Sequence, residues 1–185
     1  MAVLASGSGT LLESMFDAGL PVAVVVSDRS CPALDLAADR GVPGALVERR
    51  SYGADFDRDE FTKQLVVVLE QHGIDLVAMA GFGTVLGADA FDVFSGRILN
   101  THPALLPAFK GWHAVRDALD HGVKVTGCTV HVATLEVDHG PILAQEAVAV
   151  LPGDTEATLH ERIKQAERRL YIQTINDILE RGSVQ

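Results

Sequence analysis

The chain has 185 residues, a formal net charge of −10, and 48% apolar but only 5% aromatic residues. This length favours one domain with a sizeable core, and the acidic balance argues against a nucleic-acid partner, because neutralising phosphates needs a basic face. The two cysteines, Cys31 and Cys128, match no metal or redox spacing and favour a reduced, cytoplasmic compartment. A membrane-spanning helix needs about 20 consecutive apolar residues. No apolar run in this sequence approaches that length, so no membrane partner is expected.

A glycine-rich segment follows the first predicted strand. The strand, Ala2 to Ala5, runs into Ser6–Thr10 (SGSGT), and a helix is predicted next. Small residues before a helix N-terminus let free N–H groups reach an anion, so the segment is either a phosphate site or a plain tight turn. The dinucleotide fingerprint is incomplete because Leu12 takes its third glycine position, yet Asp28 lies at about the distance of the ribose-binding acid. A nucleotide cofactor therefore stays open.

Strand-like and helix-like segments alternate through the first hundred residues. Strands are predicted at residues 22–26, 45–47, 76–80 and 97–101, with helices between them. This alternation predicts an α/β fold with a doubly wound, mainly parallel sheet. Two strand-like segments, 125–132 and 142–150, have no helix between them and predict an antiparallel hairpin. A last helix, capped at residues 153–155, is predicted to run to about Arg181.

Asn100 and His102 leave the fifth strand at the edge where open α/β sheets bind their ligands. Side chains two residues apart on an extended chain point to the same side, and Pro103 and Pro107 stiffen the following loop. An amide and an imidazole placed in this way can stabilise charge developing on a small polar substrate. The residues alone equally allow a capping Asn and a surface His. The glycine-rich segment is expected at the same edge.

Asp138 lies in the predicted turn between the last two strands, directly before His139 and Gly140. Asp before glycine usually only forms the turn. The functional alternative is a carboxylate that pairs with His102 and orients its ring. His131, on the preceding strand, is expected to pack structurally.

Four motifs together resemble the folate-dependent formyltransferases, most closely the branch that formylates glycinamide ribonucleotide. They are the glycine-rich segment, the turn GFGTVL at 81–86, RILNTHPALLPAFKG at 97–111, and GCTVH at 127–131 with DHGPILAQ at 138–145. The resemblance spans about residues 2 to 171. It implies transfer of the formyl group of 10-formyltetrahydrofolate to the amine of 5′-phosphoribosylglycinamide in purine biosynthesis, with no metal. It also implies Asn100, His102 and Asp138 as the catalytic set.

The resemblance implies further binding residues. They are Gly9, Thr10 and Leu11 for the substrate phosphate, Glu167 for the ribose, and Arg58, Gly83, Thr84, Val85, Leu86, Asn100 and Val137 for the folate. Without the resemblance, Arg58 and Glu167 are ordinary exposed charges, and residues 83–86 form an ordinary strand-to-helix connection. The family commonly has Asn at position 11, Met-Arg at 83–84 and Gly at 139, so the phosphate contact, the pterin pocket and the surroundings of Asp138 are expected to differ here.

Three alternatives remain from the sequence. A formyltetrahydrofolate deformylase is expected to carry an extra N-terminal domain and a second His after the first, where this chain has Pro103. A methionyl-tRNA formyltransferase is expected to add a C-terminal domain and a surface suited to RNA. A non-catalytic folate or nucleotide binding module is the third. The leading prediction is one formyltransferase domain over residues 1–185, with nucleotide phosphate binding in its N-terminal half, folate binding and catalysis in its C-terminal half, and a possible homodimer.

Overall fold

The computed structural model describes residues 1–184. Its strands are β1 (Ala2–Leu4), β2 (Val24–Ser27), β3 (Gly44–Leu46), β4 (Val77–Met79), β5 (Ile98–His102), β6 (Val125–Val132) and β7 (Ile142–Ala149). Its helices are α1 (Thr10–Asp17), α2 (Pro32–Asp39), α3 (Arg58–Gln71), α4 (Ala88–Val93), α5 (Ala114–Asp120) and α6 (Glu156–Arg181). No helix within this described range is long and apolar enough to cross a membrane.

The strands form one sheet in the order β3-β2-β1-β4-β5-β6-β7. Strand β1 pairs in parallel with β2 and β4, β2 with β3, and β4 with β5, whereas β6 and β7 are antiparallel. The predicted α/β fold, a mainly parallel sheet with a C-terminal antiparallel hairpin, is therefore confirmed. The pattern follows from the connections, because parallel neighbours need a crossover helix and antiparallel neighbours only a short turn.

By compactness the chain divides into two units, Met1–Leu99 and the residues from Asn100 onward. In the first unit β1 and the Val24–Val26 run of β2 have no solvent exposure, as expected for parallel strands covered on both faces. Each buried Val or Leu side chain among them contributes about 1.5–3 kcal/mol relative to exposure. The predicted single domain extends to Gln185, which lies outside the described residues.

In the second unit α6 packs on the hairpin. A buried cluster joins them, with members Val115, Cys128, Val148, Leu159, Ile163 and Ala166. The helix begins with a capping box in which Thr155 and Thr158 satisfy each other's backbone N–H groups. Burial raises the pKa of the Cys128 thiol to about 12, so this cysteine is a packing residue and not a nucleophile.

Candidate active site

Strand β5 carries both polar side chains of the predicted catalytic motif. Asn100 is its third residue and His102 its last, so the period of two places both side chains on one face. His102 is buried, with 4% of its surface exposed, and so is Asp138, with 7%. A buried imidazole and a buried carboxylate both need hydrogen-bond partners, and the surrounding loops provide them.

The His102 ring lies between two acceptors. Its Nε2 is 2.7 Å from the carbonyl oxygen of Phe109, and its Nδ1 is 3.4 Å from Oδ2 of Asp138. A carbonyl oxygen only accepts, so Nε2 carries a proton and donates to it. The carboxylate facing Nδ1 is placed to stabilise positive charge that develops on the ring. The geometry thus holds Nε2 of His102 as a donor, with Asp138 on the other ring nitrogen.

Two loop residues beside His102 have left-handed backbones. Phe109 has φ 51° and Asp138 has φ 58°, and they are the only non-glycine residues with positive φ within residues 1–184. Such conformations cost about 1–3 kcal/mol and persist where the surroundings enforce them. Here the Gly111 N–H donates to Oδ2 of Asp138 at 2.8 Å. This bond joins the loop after β5 to the β6–β7 turn and holds the carboxylate on His102.

His131, on β6, completes the group of polar side chains. Its Nδ1 is 3.0 Å from the carbonyl oxygen of Val132, so Nδ1 carries the proton and Nε2 is an acceptor. Burial lowers the pKa of His131, against the opposing effects of the Val132 carbonyl and the Asp138 charge, so the ring is neutral. Its Nε2 lies 3.4 Å from Nδ2 of Asn100 and 3.7 Å from Oδ1 of Asp138. The neutral ring therefore accepts one Asn100 N–H and leaves the other for a ligand.

His139 stands where the resembled family commonly has Gly, and its ring lies at the surface of the turn. Its Nε2 is 2.7 Å from Nζ of Lys110 and 3.2 Å from Oε1 of Glu136. The His139 ring therefore contacts Lys110 and Glu136 at the surface, next in sequence to Asp138. Val137, the predicted folate contact in this turn, is half exposed.

The glycine-rich segment of the first unit ends in an uncapped helix N-terminus. Gly9 is the N-cap of α1 with φ 77° and provides no side-chain bond. A Cβ at Gly9 would lie 3.2 Å from Cα of Ala33, so glycine is needed there for both conformation and space. The Leu11 side chain is buried in the core, so Leu11 offers a ligand only its backbone. Thr10, the first residue of α1, is exposed.

The predicted pterin turn is tied to the glycine-rich segment by polar bonds. The Gly83 N–H donates to Ser6 Oγ at 2.9 Å, and Thr84 Oγ1 donates to Oδ2 of Asp28 at 2.7 Å. Asp28 is fully buried and also accepts two bonds from Arg29, at 2.9 and 3.0 Å. Burial works to raise the Asp28 pKa, but the bonds from Arg29, Thr84 and Ser6 outweigh it and lower the pKa. Its carboxylate is thus used internally and is not free for a nucleotide ribose.

The other predicted folate contacts of the first unit are Thr84, Val85 and Leu86 in the turn and Arg58 at the start of α3. Thr84 and Leu86 point inward, whereas Val85 is 36% exposed. Arg58 begins α3 and is exposed. Thr62, one turn further, donates to the Arg58 carbonyl and accepts the Gly87 N–H at 2.8 Å, which places the start of α3 beside the end of the pterin turn.

Several groups at the site carry no sequence signal. The Phe109 carbonyl and the Gly111 amide are backbone atoms, and His131 reads as an ordinary strand residue. Glu167, predicted for the ribose, accepts a bond from Thr101, a residue for which the sequence predicts no role. Within residues 1–184, no group of three or more His, Cys, Asp or Glu is arranged to hold a metal ion.

Known proteins are similar to this chain in both sequence and fold. The family model described as formyl transferase matches residues 1–175. The phosphoribosylglycinamide formyltransferase of Mycobacterium tuberculosis strain CDC 1551 is 47% identical over 187 aligned residues, which cover 98% of this chain and 86% of that protein.

Solved structures give the same result. Glycinamide ribonucleotide transformylase 1 from Symbiobacterium toebii matches with TM-score 0.84 and 43% identity, covering 93% of this chain and 83% of that one. Phosphoribosylglycinamide formyltransferase from Bacillus halodurans matches with TM-score 0.88 and 35% identity, covering 98% and 96%. The chain belongs to the formyl transferase family.

Proposed function

We propose that this protein transfers the formyl group of 10-formyltetrahydrofolate to the amine of 5′-phosphoribosylglycinamide, a step of purine biosynthesis. The observation that carries the proposal is the set of contacts that joins Asn100, His131, Asp138 and His102 in one unit. Two hydrogen-bond donors beside a buried carboxylate suit acyl transfer between nitrogen atoms. The names of the family and of the relatives point to the formyl group and to the phosphoribosylglycinamide acceptor, and the resemblance implies 10-formyltetrahydrofolate as the donor.

The reaction begins when the substrate amine attacks the formyl carbon of the folate. A tetrahedral intermediate with a negatively charged oxygen forms, and the free N–H of Asn100 donates to that oxygen. Such a donor typically contributes about 3–4 kcal/mol in the transition state. His131 holds the Asn100 amide in the donating orientation, so its role is positioning.

His102 is the second donor. In the structure its Nε2–H is bound to the Phe109 carbonyl, so the tetrahedral oxygen replaces that carbonyl as the acceptor. Asp138 stays on Nδ1 and stabilises the imidazolium. When the intermediate collapses, the bond between the formyl carbon and the folate nitrogen breaks and the carbonyl forms again. Asp138 helps to move the proton from the attacking amine to that departing nitrogen. Exchange of one acceptor for another keeps His102 satisfied both before and during the reaction.

Substrate binding is assigned by the resemblance. The phosphate binds the backbone N–H groups of Gly9, Thr10 and Leu11, which is consistent with the inward Leu11 side chain. The folate lies along the backbone of residues 83–86, with Arg58, Asn100 and Val137 as further contacts. The Ser6–Gly83 and Asp28–Thr84 bonds support the shape of that turn. Glu167 accepts from the ribose hydroxyls.

The decisive experiment is release of the deformylated folate, followed by absorbance. The purified protein is given 10-formyltetrahydrofolate with 5′-phosphoribosylglycinamide, with water alone, or with charged initiator tRNA. Release that requires the ribonucleotide supports the proposal. Release in water alone would identify a deformylase, and release with the tRNA a methionyl-tRNA formyltransferase. Tight folate binding without release would identify a binding module.

Assembly and location complete the proposal. We expect a homodimer from the resemblance, and sedimentation analysis at micromolar concentration measures it. We expect the reaction to run in the cytoplasm, because Cys31 and Cys128 are free thiols and reduced cysteines are typical of that compartment.

A further inference from the structure

Thr101 lies between the two catalytic side chains of β5 and makes a different contact. Its Oγ1 donates a hydrogen bond to Oε1 of Glu167 at 2.5 Å. Alternation along the strand turns its side chain to the face opposite Asn100 and His102. Glu167 lies on α6, which packs against β6 and β7. The bond therefore connects the strand that carries the catalytic donors to the helix that carries the predicted ribose acceptor.

The Glu167 carboxylate is half-buried on α6 and is engaged at Oε1 by the Thr101 hydroxyl. Burial raises the pKa of Glu167, while the Thr101 hydroxyl and the charges of Lys164 and Arg168 act in the opposite direction. A carboxylate offers about four acceptor positions, and Thr101 fills one of them on Oε1. A buried carboxylate gains from each further neutral donor that reaches it. The two adjacent hydroxyls of a ribose are a donor pair of this kind.

We propose that Thr101 is a positioning residue that holds the Glu167 carboxylate for the ribose hydroxyls of the acceptor ribonucleotide. This inference rests on the proposed function. Without the Thr101 hydroxyl, rotation about the side-chain bonds of Glu167 is less restricted, and the two oxygens lose the orientation that matches a vicinal diol. Thr101 acts on recognition of the ribonucleotide and not on the formyl transfer step, because its side chain points away from the face of Asn100 and His102.

The test compares Thr101→Val, which keeps the branched shape and removes the hydroxyl, with Thr101→Ser, which keeps the hydroxyl. KM and kcat are measured with 5′-phosphoribosylglycinamide and with an analogue that lacks both ribose hydroxyls. We expect Thr101→Val to raise the KM for the ribonucleotide about tenfold with kcat nearly unchanged, and Thr101→Ser to match the wild type. With the analogue, wild type and Thr101→Val should have the same KM.

A double mutant separates positioning from a general packing effect. In a Glu167→Gln background, Thr101→Val should add much less to KM than it does alone, because the group that it positions is already altered. Thermal unfolding checks that each variant is folded, and Thr101→Ala replaces the valine variant if that one does not fold.

Three results would overturn the inference. They are an unchanged KM in folded Thr101→Val, an equal rise in KM with both acceptors, and a loss in Thr101→Ser as large as in the valine variant. Failure of the proposed function looks different, because the wild type would then show no formyl transfer that depends on the ribonucleotide.

Discussion

Replacement of Asp138 by Asn asks whether the charge of this residue, and not only its place in the turn, supports catalysis. Its φ of 58° is tolerated by Asn as well as by Asp, and the Asn oxygen can still accept the Gly111 N–H. Both contacts belong to Oδ2 of Asp138, so the same Asn oxygen also faces Nδ1 of His102, and the amide nitrogen takes the place of Oδ1 near His131. The change therefore keeps an acceptor beside His102 and removes only the negative charge.

The size of the effect follows from the distance between the two groups. Unit charges 3.4 Å apart attract each other by about 5 kcal/mol at an effective dielectric constant of about 20. Both side chains are 5% exposed, so solvent screening is small. If that attraction supports the imidazolium only in the transition state, kcat should fall about 10³–10⁴-fold, since about 1.4 kcal/mol corresponds to a factor of ten.

The assay is formyl transfer to 5′-phosphoribosylglycinamide under saturating conditions, with thermal unfolding as the check on folding. Glu136→Gln is the matched control, because it makes the same carboxylate-to-amide change in the same turn at a side chain that is 73% exposed. We expect wild-type kcat in that control and an unchanged unfolding midpoint in both variants. A folded Asp138→Asn enzyme within about threefold of wild-type kcat would refute the electrostatic argument.

Three further predictions concern stability. Burial raises the pKa of Glu167 above 4.5 in the native state. The native state therefore keeps its proton to a higher pH than the unfolded state does, and the free energy of unfolding of the wild type falls as the pH rises above 4.5. Glu167→Gln should therefore raise the free energy of unfolding in urea by about 1 kcal/mol at neutral pH. If the variant is stabilised over the wild type no more at neutral pH than at acidic pH, the prediction is contradicted. Burial lowers the pKa of His131 below 6.5. The stability that the neutral buried ring contributes is therefore complete above pH 6.5 and is lost as the pH falls below that value. The pH slope of stability should be shallower in His131→Gln, and identical slopes would count against the neutral buried ring. A Cβ on Gly127 would lie 2.1 Å from the Glu146 carbonyl oxygen, so Gly127→Ala should cost about 3 kcal/mol in the same assay, and a neutral result would contradict the close approach of β6 and β7.

Local patterns in the sequence were sufficient for the architecture. Strand β6 is observed at the predicted residues 125–132, and α6 begins after Thr155 as its capping residues indicate. Both results depend on periodicity and capping, which act over a few neighbouring residues. The parallel sheet follows as well, because alternating strands and helices leave few other connections.

The sequence by itself also determined that Asn100 and His102 share one face of β5, since that needs only the period of a strand. Tertiary structure alone decided their partners. His131 reaches Asn100, and the Asp138 carboxylate reaches His102, across separations that no local pattern encodes. It also decided that Asp28 is enclosed by Arg29, Thr84 and Ser6, although its position in the sequence suggested a ribose ligand. The physical reason is that a buried polar group takes whichever partner the packing brings within reach, and that choice is made by the folded chain as a whole.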